Sequence, residues 1–450
     1  MNARIRLFAL LAAIFCLANA VYAQDTVDED QLFADTSSVT QTPMMADTQK
    51  IGDYSGMKSV GISGTITSAA MVTANREIRE KATFENTGFA SWISGDILFD
   101  VRLKEGVKAF TSMEVTYQPG AIDDGNDTNL SYSLPEFFID ANYQNKLYFR
   151  TGKQVLQWGR CYLWNPTDMV NIEQKQFIQN IGLREGTYGV KLHLPSGVSR
   201  NIYGFLGTND VKRPDQISLA AKYEFLMGGS EMSFSVWGKR HYNPVYGYDL
   251  SLRLFGIDIS GELGLHQRYH ANYISGTTGL LTAETKNWVP RSCLSFSRSY
   301  TVGGIKDRLT VTDEVYYNNA GNTDRTMEHV INSVMASEMP EGSEAGVTYT
   351  ADIKGALVAN GLYQPNSYSL FYTAVFVNYT KFIIPDLTLN LNTIGNLNQR
   401  CFIVTTELSY NNLNDFSLKL SINSFLGPNN TEYTMSNDGL QIQLNVGLSF

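Results

Sequence analysis

The sequence predicts an all-β protein, a transmembrane antiparallel up-and-down β-barrel, and three observations carry that expectation. The chain closes on LQIQLNVGLSF, where Leu440, Ile442, Leu444, Val446, Leu448 and Phe450 fall on one face of a strand. Gln441, Gln443, Asn445, Gly447 and Ser449 fall on the other, because successive strand side chains point to opposite sides. The same alternation recurs along the chain, with links between strands that are short and long by turns. The chain opens on MNARIRLFALLAAIFCLANAVYAQ, which has the order of an export signal. A soluble sandwich also alternates, so the closing strand alone leaves sandwich and barrel open; the three observations together favour the barrel.

The ends of the chain are separable from that barrel. Arg4 and Arg6 precede an apolar run, and VYA precedes Gln24, so residues 1–23 read as a signal peptide cleaved after Ala23. The run is short for a spanning helix of about 20 residues, and Phe15 is too bulky beside Cys16 for a lipid-attachment site. Residues 24–56 carry Asp25, Asp28, Glu29, Asp30, Asp35, Asp47 and Asp53 against Lys50 alone. So acidic and apolar-poor a segment cannot bury a core and reads as a disordered periplasmic tail. The barrel occupies 57–450.

Composition excludes several classes. The formal net charge is -9 with no basic stripe, which excludes nucleic acid as a partner. Cys161, Cys293 and Cys401 survive processing; an odd number, widely spaced, is neither a disulfide framework nor a zinc set, and they read as buried or lumen-lining thiols. Aromatic residues make up 12% of the chain, with 25 Tyr, a supply suited to membrane interfaces. Beyond residue 24 no stretch of about 20 apolar residues occurs, so only a closed barrel could satisfy backbone hydrogen bonds in a membrane.

The strands justify themselves one by one. EMSFSVWGK sets Met232, Phe234 and Val236 against Ser233, Ser235 and Trp237, and YDLSLRLF sets Leu250, Leu252 and Leu254 against Asp249, Ser251 and Arg253. LTLNLN and DFSLKLSIN follow the same rule, the latter with Lys419 and Ser421 opposite Leu418, Leu420 and Ile422. A mid-strand Arg253 or Lys419 requires a face that water reaches. Short links fall at 104–106, 143–146, 195–199, 227–230, 255–258, 303–307 and 411–415. Long polar links fall near 72–88, 119–132, 156–185, 269–287, 319–365 and 425–437. Short turns at one end and long loops at the other are the asymmetry of outer-membrane barrels. About eighteen strands result, an even number that leaves both ends in the periplasm; sixteen is the alternative, because 57–75 and 198–208 are weakly patterned. Phe450 on the outward register makes the last strand a candidate signal for the barrel-assembly machinery, and lipid and lipopolysaccharide are the expected surroundings.

The most unusual segment is YFRTGKQVLQWGRCYLWNPTDMVNIEQKQF at 148–177. Its Arg-x-Gly-Lys-Gln, followed by Trp158-Gly159 and the turn Asn165-Pro166-Thr167-Asp168, resembles porin-like outer-membrane families of Gram-negative bacteria, including alginate-export-like and related uncharacterised channels. The likeness spans roughly 133–195 and the C-terminal strand. It implies that the loop 156–185 folds into the lumen and narrows it. The residue types suit such a constriction: Arg150, Lys153, Arg160 and Arg184 as cations, Asp168 and Glu173 as anions, and Trp158, Tyr162 and Trp164 as stacking surfaces. Fixed charges in a narrow pore select among solutes. The alternative is that the tryptophans pack the loop on the wall while Arg160 pairs with an acid.

A second long loop, 319–365, carries Met327, Val330, Ile331, Val334 and Met335 at helical spacing, which reads as a lid or as a surface loop with its own small core. Enzymatic signals are weak. His266 and His270 on one strand face stand about 13 Å apart, too far to share a metal, and no Gly-x-Ser-x-Gly or His-Glu-x-x-His motif occurs. No catalytic residue, metal or cofactor is therefore expected. The function read from the sequence is an outer-membrane channel passing small hydrophilic solutes by facilitated diffusion. The alternatives are a plugged transporter of hydrophobic compounds, an outer-membrane enzyme and a closed structural barrel.

Overall fold

The computed structural model describes residues 59–76, 86–103, 106–119, 129–171, 186–197, 199–209, 211–266, 272–274, 281–283, 288–332, 353–359, 362–413 and 415–450. The expected signal peptide, 1–23, and acidic tail, 24–56, lie outside them. Eighteen strands form one sheet. In chain order they begin with β1 (Ser59–Asn75), β2 (Thr87–Arg102), β3 (Lys108–Tyr117), β4 (Leu130–Tyr143), β5 (Leu147–Gln154) and β6 (Thr187–Ser196). They continue with β7 (Arg200–Gly207), β8 (Ser218–Met227), β9 (Ser230–Lys239), β10 (Val245–Leu254) and β11 (Ile257–His266). A small hairpin, β12 (Asn272–Ile274) with β13 (Leu281–Ala283), stands apart from the main sheet. The sheet resumes with β14 (Val289–Val302), β15 (Ile305–Asn318), β16 (Phe371–Tyr379), β17 (Leu387–Asn396), β18 (Cys401–Leu413), β19 (Phe416–Leu426) and β20 (Asp438–Ser449). A short helix, α1 (Ile353–Ala359), precedes β16.

Every neighbouring pair is antiparallel, and β1 pairs with both β2 and β20, which closes the barrel. The two weakly patterned segments are both strands, β1 and β7, so the count is eighteen rather than sixteen. Their weak patterning has a physical source in β1: it is rich in Gly, Ser and Ala, and its membership rests on full-length pairing with β2 rather than on apolar content.

The register confirms the two faces. Leu420 lies opposite Leu408 of β18 and Leu444 of β20, while Ser421 lies opposite Glu407 and Gln443. The apolar set points out, where Leu444 is 44% exposed, and the polar set points into the lumen. In a bilayer that outer band is the surface that lipid covers. Asp313 breaks the pattern: it occupies an outward position between Phe296 and Val375.

The short links at one end are tight turns. Phe255 and Gly256 join β10 to β11, and Gly303 and Gly304 join β14 to β15, each pair with both φ values positive. That backbone matches the twist of the flanking strands. The chain ends at the same rim. Phe450 exchanges two backbone hydrogen bonds of 3.0 Å with Gly64 of β1. Its ring lies so close that a Cβ on Gly64 would stand 2.8 Å from it, so glycine there gives the terminal aromatic room on the outer wall.

Candidate functional site

Residues 155–171 leave β5 and turn inward as a compact loop whose ends are stitched together. Asn171 donates from Nδ2 to the Leu156 carbonyl at 2.6 Å and to Asp168 Oδ2 at 2.8 Å. Asp168 also accepts the backbone N–H of Trp158 at 3.4 Å, and the Asn165-Pro166-Thr167-Asp168 turn closes with Asp168 N–H on the Asn165 carbonyl. The Asn and Asp side chains thereby replace the strand ladder that the segment gave up.

Two wall glutamates seat the loop. Glu262 of β11 accepts the backbone N–H groups of Arg160 at 2.5 Å, Cys161 at 2.6 Å and Thr167 at 3.0 Å, with the Thr167 hydroxyl at 2.8 Å. Glu314 of β15 accepts those of Tyr162, Leu163 at 2.8 Å and Trp164 at 3.4 Å. Glu314 is fully buried and Glu262 nearly so. Bare buried carboxylates are costly; here the loop backbone solvates both, so burial and loop position depend on each other.

The loop's one guanidinium completes the match. Arg160 pairs with Asp249 through Nε, with Glu231 at 2.5 Å and with Glu224 at 2.9 Å. Lys222 of β8 reaches Asp249 at 3.2 Å and donates to the Trp158 carbonyl at 2.6 Å. This holds the Arg160 guanidinium well above its ordinary pKa, against the opposing effect of burial, through Asp249 and then Glu231.

Apolar packing does the rest. Leu156, Trp158, Met169 and Val170 bury against Phe205, Ala220, Trp237 and Val245 of β7 to β10. Farther along, the Trp164 ring stacks on Tyr316 with centroids 5.4 Å apart, and Tyr162 meets Phe376 edge-on at 4.6 Å. Two glycines make the room. Gly247 and Gly264 are register partners on β10 and β11. A Cβ on Gly264 would stand 2.5 Å from the Pro166 carbonyl oxygen, and one on Gly247 would stand 2.7 Å from Met169. The wall is hollowed where the turn sits.

The sequence-predicted residues are thus distributed unevenly. Trp158, Arg160, Trp164 and Asp168 converge in the loop, but their side chains hold it on the wall: Trp158 and Trp164 are buried and Arg160 is ion-paired. Tyr162 is 37% exposed toward the lumen. Arg150 faces the lumen from β5, bonded to Asp140 at 2.6 and 2.9 Å and lying over the Phe138 ring. Lys153 does not join them. Three positions on from Arg150 in a strand of period two, it takes the outward register opposite Phe137 and Tyr188, 5.8 Å from the Tyr188 ring centroid. Glu173 and Arg184 lie outside the described residues.

Several anchors were missed: Glu262, Glu314, Asp249 and the glycine pair. Their signal was an acid or glycine at inward mid-strand positions, but the acids' loop partners lie 89 to 152 residues away in sequence.

A second knot sits where the later loops meet. Glu432 is buried and accepts from Tyr372 Oη at 2.7 Å, Asn396 Nδ2 at 2.7 Å and the Asn366 backbone N–H at 2.7 Å. Burial pushes its carboxyl above the usual glutamate value. The Trp164 indole N–H donates to the Asn366 carbonyl at 2.8 Å, which ties the inward loop to this knot. Met327, Val330 and Ile331 pack with Leu357, Leu362, Tyr363, Tyr368 and Met435, a small core that the loop 319–365 shares with the link 425–437 rather than holds alone; Val334 and Met335 lie outside the described residues.

No protein-family model matches this sequence, and no curated protein matches it. Solved structures do resemble it in fold. OccAB1 of Acinetobacter baumannii is 10% identical with a TM-score of 0.50, over 87% of this chain and 96% of that one. OccK8 (OprE) of Pseudomonas aeruginosa is 11% identical with a TM-score of 0.50, over 87% and 98%. A BenF-like porin from Pseudomonas fluorescens Pf-5 is 9% identical with a TM-score of 0.51, over 87% and 98%. At such identities the likeness is one of fold: the closed barrel of these porins.

Proposed function

We propose that this chain is an outer-membrane channel that passes small hydrophilic solutes by facilitated diffusion through a lumen narrowed by the loop 156–185, of which 156–171 are described. The observation that supports it best is the seating of that loop on an inner wall whose inward register is polar. Asn390, Asn392, Glu407, Lys419, Gln441 and Gln443 line the wall of β17 to β20, a surface suited to hydrated solutes and poorly suited to hydrophobic cargo. Gln157 and Tyr162 are the loop side chains most exposed to the passage, and Arg150 with Asp140 flanks it nearer the short-turn rim. Assembly through recognition of the strand ending at Phe450, and lipopolysaccharide around the outer rim, belong to the same proposal.

Selection by fixed charge in a poorly screened pore then acts through Arg150, Glu231 and Lys419 rather than through the buried tryptophans. The test is liposome swelling with purified protein and a panel of neutral sugars, amino acids and organic acids. Size-dependent permeation of hydrophilic solutes is expected. Permeation by none of them would leave the closed-barrel reading, and uptake confined to hydrophobic compounds would favour the plugged transporter.

A further inference from the structure

Two thiols face each other across the seam between loop and wall. Cys161 comes from the inward loop and Cys293 from the lumen side of β14, and both are buried, at 0% and 1% exposure. Their sulfur atoms and a Glu314 carboxylate oxygen all lie within 4.8 Å of one another. Cys161 Sγ also meets the Ser260 carbonyl, at a long 3.9 Å. Chains exported past the inner membrane mature in an oxidising compartment, where adjacent thiols persist poorly.

From this juxtaposition we infer that Cys161 and Cys293 form a disulfide that fastens the inward loop to the barrel wall. The step balances as an exchange. The two S–H bonds are lost and one Sγ–Sγ bond forms, while a dithiol oxidase of the periplasm, carrying a disulfide, takes up the two electrons and two protons as a pair of thiols. The hydrogen bond to Cys293, burial and the nearby carboxylates of Glu262 and Glu314 push the Cys161 thiol far above its ordinary pKa once the loop is seated. Exchange needs a thiolate, so the bond forms while the loop is still accessible during assembly and is then shielded from reductants.

A metal at the same place fits less well. Glu314 already accepts three backbone N–H donors, and even with its carboxylate a cation would have three protein ligands, short of the four usual for a structural zinc site. Cys401 stays outside the bridge: its thiol contacts Gln399 at 3.9 Å. The bridge rests on the outer-membrane placement and not on the constriction.

The test uses the full-length protein extracted from outer membranes, denatured in the presence of an alkylating reagent, with and without prior reduction, and mapped by peptide mass. The expected result is Cys401 alone labelled without reduction, all three labelled after it, and a cross-linked peptide joining Cys161 to Cys293. Labelling of Cys161 and Cys293 without reduction would overturn the bridge. So would about one zinc per chain by elemental analysis, with both cysteines labelled once the metal is chelated. The unreduced, unfolded chain should also migrate faster than the reduced one, a difference that Cys401→Ala keeps and Cys293→Ser abolishes; a difference that survives Cys293→Ser would likewise overturn it. A chain that carries the bridge but passes no solute would sink only the channel reading, and a channel without the bridge would sink only this one.

Discussion

Replacing Glu314 by glutamine isolates what its carboxylate does for the loop. The side chain keeps its size but offers one acceptor oxygen where two now serve Tyr162, Leu163 and Trp164, and it turns an amide N–H₂ toward the remaining donors. At least one buried N–H loses its acceptor, at a cost of about 1–3 kcal/mol, and the others lose the charge that strengthens them. A total near 2–4 kcal/mol against the seated loop follows. At about 1.4 kcal/mol per tenfold, the unseated population rises roughly thirtyfold to several hundredfold. Hydrogen exchange read on peptides covering 156–171 would show this as faster exchange at Cys161, Leu163 and Trp164, now all buried. Strands remote from the loop, such as β20, should stay protected. The measurement is best made under reducing conditions or in Cys293→Ser, so that a covalent tether does not mask the loss. Unchanged protection in the loop would refute the claim that the carboxylate carries it.

Three further outcomes bear on the register and the seam. Leu420→Arg places charge on the outward face and should cost about 2–4 kcal/mol near the midplane, while Ser421→Arg, facing the lumen, should leave heat-modifiability on gels intact; equal tolerance would contradict the register. Deleting Phe450 removes the outward aromatic and its hydrogen bonds to Gly64, so the chain should reach the periplasm without inserting, and normal surface levels would refute that. Gly264→Ala drives a Cβ to within 2.5 Å of the Pro166 carbonyl and should raise protease sensitivity of the loop; Gly238→Ala, which meets nothing within 4 Å, should not.

The barrel was legible because a strand between lipid and water must alternate, and β19 and β20 do so through Leu418, Lys419, Leu420, Ser421, Leu444 and Asn445; Ser424 and Phe425 reverse the pattern only near the end of β19. The turn end was legible through Gly256 and Gly304, whose positive φ values suit glycine. Strand β1 was nearly invisible, since Ala69, Ala70 and Gly64 give little contrast between faces. The loop's existence was legible in its aromatic and Asn-Pro content, but its attachment was not. Nothing local marks Glu262 or Glu314 as an anchor, because each is only an inward acid until the loop's N–H groups arrive from far along the chain. Lys153 was misplaced by counting charge rather than parity: two positions from Arg150 faces in, three faces out.

The most direct test of the constricted channel is single-channel conductance in planar bilayers, comparing the intact protein with a variant in which 157–170 is replaced by a short glycine-serine link. Heat-modifiability would first establish that the variant barrel has closed. The intact protein should give stable ohmic steps and the shortened one clearly larger steps, because the segment removed covers the wall from β7 to β16. Equal conductance in both, or none in the intact protein, would contradict the account.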